Sequence, residues 1–225
     1  MVDEKETFKD NYKYFLTRVK KSKVIIRELL RHTPLKTTDK LKVLAVGGEY
    51  GFIEYNLAKW TKWDILSSDI NENLIRKYGT FNNKVSKGAL DTTMLPFKDN
   101  TFDLIIFNHV IEHIPEYRKA VKELHRVLKK KGYFYLATPN LHRKFVHLKI
   151  SLVRKKNLSD EKRMSRHMGF SCKELEEMLS IFMEINNITK EHQVTNLKIF
   201  GKFAKIIPGN VFHKYSQTNA YICRK

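Results

Sequence analysis

Residues 41–60 read LKVLAVGGEYGFIEYNLAKW. The apolar run 41–46 has the length of a buried strand. Gly47, Gly48 and Gly51 turn the chain, and a helix is expected over about 52–60. Strand, glycine turn and helix in direct succession make up the first part of a β-α-β unit. The pattern recurs downstream. WDILSS (63–68) reads as a second strand ending at Asp69, with a short helix after Asn71. FDLIIFN (102–108) is almost wholly apolar, as a strand covered on both faces should be. Ala120, Val121, Leu124, Val127 and Leu128 fall at helical spacing, with Pro115 in the first turn and KKKG ending the helix, Gly132 as its cap. YFYLAT (133–138) is the next strand, Ser171 with Glu174 is a capping box before another helix, and NAYICR (219–224) is a closing strand. The alternation implies an α/β fold with an open, doubly wound sheet covered on both faces.

Upstream, residues 5–32 are expected to be helical, with Phe8, Tyr12, Phe15, Val19, Ile26 and Leu30 sharing a face until Pro34 ends the segment. Two regions are therefore expected, an N-terminal helical extension (1–40) and the main domain (41–225). The 225 residues are 42% hydrophobic and 30% charged, enough for a core and unlike a disordered chain. Two cysteines, Cys172 and Cys223, exclude a disulfide framework and suit a reducing compartment. No apolar run has the length of a membrane span and the start is polar, so a cytoplasmic location is expected.

The net charge is +19, concentrated in the flanks: residues 1–40 carry 11 basic and 6 acidic side chains, and residues 190–225 carry 7 and 1. Such flanks attract phosphates, acidic glycans, anionic lipid headgroups or RNA. Lysines outnumber arginines 32 to 11, and this favours a general lysine surplus over a dedicated phosphate reader.

In an open α/β sheet, ligands bind beyond the carboxyl ends of the strands. Three segments reach that end here. The glycine turn 47–51 exposes backbone N–H groups, Asp69 could accept from two ribose hydroxyls, and Asp91 in ALDTTMLPF could accept from an adenine amino group. Asp69 as a helix cap and Asp91 as a turn residue are the structural alternatives.

VLAVGGEYGFIEYNLAKW, SSDINENLI, LDTTMLPFKDNTFDLIIFNHVIEHI and ELHRVLKKKGYFYLATPN together resemble the class I S-adenosylmethionine-dependent methyltransferases, and most closely the methyltransferase type 11 subgroup. The likeness covers roughly residues 41–140, with a looser match at RHMGFSCKELEEML. It implies a Rossmann-like, mixed seven-stranded sheet whose last strand, 219–224, runs antiparallel. It implies S-adenosyl-L-methionine as cofactor, with Gly47, Gly48, Glu49 and Gly51 around the amino-acid end, Asp69 and Ile70 at the ribose, Asp91 and Thr92 at the adenine, and Asn108 nearby. Two positions depart from the family: Ala45 stands where an acid is usual, and Glu49 where glycine is usual. The usual acid helps hold the cofactor's amino group, and Glu49 is expected to substitute for it.

Methyl transfer needs an acceptor lone pair aligned opposite the sulfonium, and a hydroxyl acceptor also needs a base. His109 and His113 are the candidate catalytic residues, while His142 and His167 are candidates for the acceptor pocket. The acceptor class that suits the resemblance and the charge is an anionic small molecule, a glycan or a lipid-linked precursor. RNA binding and peripheral membrane contact through the basic flanks are further readings, and oligomeric state is left open. Two other functions compete. A catalytically degenerate methyltransferase-like module could bind RNA or a protein. HVIEH (109–113) also matches an inverted zinc-peptidase motif, with Glu184 as a third ligand; Pro115 argues against the helix this needs, and no metal is expected.

Overall fold

The computed structural model describes residues 4–48, 51–73, 85–140, 169–189, 192 and 218–225, with side chains from residue 15 onward. Seven strands form one mixed sheet in the order β3-β2-β1-β4-β5-β7-β6. The chain divides into two compact units, residues 1–90 and 91–225.

The first unit contains α1 (Glu4–His32), β1 (Lys42–Val46), α2 (Phe52–Trp60), β2 (Asp64–Asp69) and β3 (Ser86–Ala89). Its strands are parallel, β1 with β2 from Lys42↔Asp64 and β2 with β3 from Leu66↔Ser86. The short, polar β3, SKGA, carries neither apolar alternation nor a run, so periodicity does not reveal it. Helix α1 packs on α2 through an edge-to-face pair of Phe15 and Phe52, centroids 5.3 Å apart. The buried stripe of α1 is Ser22, Val24, Ile25, Glu28 and Leu29, while Leu30 is 39% exposed. The expected face is therefore rotated. VIIRELL offers apolar residues on two sides, and packing chooses between them. Thr33 closes the helix by donating its hydroxyl to the Leu29 carbonyl at 2.6 Å, one residue before Pro34.

The second unit contains β4 (Phe102–Asn108), a short 3-10 turn (Ile111–His113), α3 (Tyr117–Val127), β5 (Leu128–Pro139), α4 (Cys172–Ser180), β6 (Glu184–Asn187) and β7 (Thr218–Arg224). β5 runs parallel to β4 and antiparallel to β7, which is in turn antiparallel to β6. Ala120, Val121, Leu124 and Val127 are all fully buried, as their spacing requires. Ser171 and Glu174 form the reciprocal capping box at the start of α4.

Two local expectations are corrected. Gly132 does not cap α3, because the helix ends at Val127 and KKKG lies inside β5. The register moves from Phe102↔Leu128 to Leu104↔Tyr133, so these residues form a bulge, and Lys131, not Gly132, takes positive φ (64°). Gly132 is needed there for space, since a Cβ would lie 2.8 Å from both Leu128 Cδ1 and the Lys129 carbonyl. Pro115 precedes α3 instead of occupying its first turn. The end of α3 is closed from far along the chain, where Lys225 Nζ donates to the carbonyls of His125 and Leu128, each at 2.7 Å.

Candidate functional site

In the first unit the site begins where β1 ends. Gly47 and Gly48 both donate their N–H to the Ser68 carbonyl, at 2.7 and 3.0 Å, and Gly51 donates to the Gly48 carbonyl at 2.6 Å. Gly47 (φ 71°) and Gly51 (φ 70°) adopt left-handed conformations that favour glycine. Gly51 is the N-cap of α2 and, lacking a side chain, provides no side-chain cap. A Cβ on Gly48 would collide with Ser67 Oγ.

Ser68 is followed by Asp69, so the carboxylate at the end of β2 stands directly after the glycine turn's hydrogen-bond acceptor. Asp69 Oδ1 accepts the Asn71 N–H at 2.9 Å, which is the capping role anticipated as its alternative. Ile70 is 76% exposed. The Asp69 carbonyl accepts from Leu90 N–H at 3.0 Å, immediately before Asp91 in the chain. Glu54, in the first turn of α2, is 4% exposed, and Lys87 on β3 faces its charge. Burial pushes the Lys87 ammonium below its usual range, and Glu54 opposes that shift.

In the second unit Asp91 is exposed and Thr92 buried. Asp91 Oδ1 accepts from both the backbone N–H and the hydroxyl of Thr93, each at 2.8 Å, so the turn role is real. The Thr93 backbone bond, then its hydroxyl, holds the Asp91 carboxyl below the ordinary range, and Asp91 remains an ionised acceptor at neutral pH. The following LPFKD segment is clamped by α3. Arg126 donates to the carbonyls of Phe97 and Leu95 at 2.7 and 3.0 Å, and to the carboxylates of Asp99 and Glu123 at 2.8 and 2.9 Å. Glu123 also accepts the Leu95 N–H at 3.1 Å.

Asn108 ends β4. His109 follows with φ 57°, its N–H donated to the Ala137 carbonyl at 2.7 Å. Its Nδ1 lies 3.5 Å from Glu112 Oε1, and Glu112 Oε2 accepts from Thr138 Oγ1 at 2.9 Å. Glu112 is 4% exposed and Thr138 fully buried. Burial raises the Glu112 carboxyl, but hydrogen bonds from His109, its own backbone and Thr138 outweigh that effect and hold it below the usual carboxylate range. His113 is exposed, and its N–H is used by the Val110 carbonyl.

The structure thus places Gly47, Gly48, Gly51, Asp69 and Ile70 at the carboxyl end of the first unit's strands. Asn108, His109, Glu112 and Thr138 cluster at the ends of β4 and β5. Glu49, His142 and His167 lie outside the described residues. Glu54, Lys87, Glu112, Thr138 and Arg126 were not singled out as site residues; all but Lys87 lie inside the segments that carry the resemblance, and only their burial and partners distinguish them. The zinc reading loses its scaffold, because residues 111–113 form a single 3-10 turn and no cluster of three metal-ligating side chains exists among the described residues. No helix among the described residues is long and apolar enough to cross a membrane.

The glycine turn after β1 and the carboxylate that ends the neighbouring β2 offer groups of the kind an adenosyl amino acid would take. Comparison with known proteins agrees. Residues 44–136 match the model of the methyltransferase domain family. The chain is 29% identical over 151 residues to the ubiquinone/menaquinone biosynthesis C-methyltransferase UbiE of Rickettsia bellii, covering 59% of this chain and 52% of that protein. It is 30% identical over 91 residues to the human mitochondrial arginine-hydroxylase NDUFAF5, covering 40% and 26%. The chain therefore spans a quarter to a half of these relatives. Its fold matches a SAM-dependent methyltransferase from Aquifex aeolicus with TM-score 0.58 and 16% identity, covering 90% of this chain and 88% of that one. Residues 44–136 thus carry the match to the methyltransferase domain family, and the cofactor that family implies is S-adenosylmethionine.

Proposed function

We propose that the chain transfers a methyl group from S-adenosylmethionine to an anionic acceptor: a small molecule, a glycan or a lipid-linked precursor. The observation that carries this reading is the glycine turn after β1, bonded to Ser68 directly before Asp69 at the end of β2. Gly47, Gly48, Gly51, Asp69 and Ile70 would hold the amino-acid and ribose portions and Asp91 and Thr92 the adenine, and Asn108 is a further cofactor-binding candidate. When bound, the cofactor supplies an electrophilic methyl group on a sulfonium. His109 is the base for a hydroxyl acceptor. Its Nδ1 faces the buried Glu112 carboxylate, which orients the ring and stabilises it once it has taken the acceptor's proton. Exposed His113 is the less favoured base. The region 1–40 is read as an extension to the domain 41–225, and the positive flanks would draw in an anionic acceptor.

Calorimetric titration with S-adenosylhomocysteine tests this. The wild-type chain should bind and Asp69→Ala should bind at least about tenfold more weakly, as expected on losing charge-assisted hydrogen bonds. No binding by the wild type would favour the catalytically degenerate module that grips RNA or a protein through its basic flanks.

A further inference from the structure

The parallel register places Ala45 opposite Ser67 and Ser67 opposite Lys87, so these three residues form one cross-strand row on one face of the first unit's sheet. Ala45 ends in a methyl group and is 1% exposed, so β1 contributes no carboxylate to that row. Helix α2 supplies one instead. A Cβ built on Gly48 would meet Ser67 Oγ first and then Glu54, with the carboxyl carbon and Oε1 both 3.5 Å away. Glu54 thus lies against the backbone of the glycine turn, on the row that Ser67 marks. Lys87, at the far end of the row, faces Glu54 electrostatically, and its ammonium also comes within 3.1 Å of a Cβ placed on Gly51. Among the described residues of this unit only Glu28 and Glu54 are buried carboxylates, and Glu28 belongs to α1.

The amino-acid end of the cofactor carries a carboxylate and an ammonium. The positive end of α2, which begins at Gly51, suits the carboxylate. The ammonium needs a negative charge close to the same turn. We propose that Glu54 holds the ammonium end of S-adenosylmethionine, providing from α2 the charge that an acid at position 45 of β1 would otherwise provide. This deepens the methyltransferase reading and rests on it. It also moves the substitute acid from Glu49 to Glu54. Lys87 already sets one cation against Glu54, and the ligand's ammonium shares that carboxylate.

Calorimetry with two ligands tests the assignment: S-adenosylhomocysteine, which has the ammonium, and 5′-methylthioadenosine, which lacks the amino-acid end. Glu54→Gln should weaken S-adenosylhomocysteine at least about tenfold and leave methylthioadenosine unchanged. The double variant Ala45→Asp with Glu54→Ala should recover most of the lost affinity. Where Glu54→Gln lowers the folded fraction by stranding Lys87, the pair Glu54→Gln with Lys87→Met gives the same comparison without an unpaired charge. Unchanged S-adenosylhomocysteine affinity in the Glu54 variants overturns the proposal, as does equal weakening of both ligands. In those outcomes wild-type binding persists and the methyltransferase reading stands. Failure of the wild type to bind either ligand overturns both.

Discussion

Thr138 donates its hydroxyl to the Glu112 carboxylate at 2.9 Å, and this bond from β5 anchors the acid that His109 faces. Both partners are buried, so the bond is made in a medium where its loss is not compensated by water. Because the folded-state carboxyl is held below its ordinary value of 4.5, Glu112 stabilises the fold above the unfolded pKa. That stability disappears as pH falls through the folded value. Urea unfolding should therefore show a decline below about pH 4.5 that Glu112→Gln flattens. Thr138→Val should cost about 1–3 kcal/mol at pH 7.

Asp91 is a different kind of acid, since it is exposed and its hydrogen-bond partner Thr93 lies within its own turn. Asp91→Ala should leave the melting temperature nearly unchanged while weakening S-adenosylhomocysteine about 10- to 100-fold, the range for loss of one charged acceptor. Thermal melts and calorimetry on the same preparation separate the two effects.

The close approach of the glycine turn to β2 makes Gly48 a volume-sensitive position. Gly48→Ala forces a methyl group into the Ser67 hydroxyl and should destabilise the first unit by about 1–3 kcal/mol. Adding Ser67→Ala should restore part of that loss, because the nearest obstructing atom is removed. Denaturant midpoints of the single and double variants measure the recovery.

Arg126 binds two carbonyls and two carboxylates with one planar group, a geometry lysine cannot reproduce. Arg126→Lys should cost about 1–3 kcal/mol and speed hydrogen exchange at the Leu95 amide, whose acceptor Glu123 is also held by Arg126.

The parts of the fold carried by apolar periodicity were legible. β1, β4 and α3 bury the residues their spacing assigns, and Ser171 with Glu174 caps α4 as the motif requires. Segments lacking that signal were not. β3 is too short and polar to declare itself, and β6, EINN, has the same defect. KKKG has the composition of a helix end, but the register with β4 turns it into a bulge. Asp69 and the glycines do stand at strand ends, as their place in the sequence implies. Glu54 and Thr138 were not legible in this way, because a carboxylate on a helix and a threonine in a strand are ordinary until the pairing places them beside Ser67 and Glu112.

The lysine that closes α3 lies about a hundred positions further along the chain. Those carbonyls therefore cannot be satisfied from this lysine until β7 has docked against β5. A chain emerging vectorially during synthesis forms α3 early but leaves its last turn frayed, and a contact of such sequence separation is closed late. Completion of that helix end is thus a readout of whether the final strand has found its place.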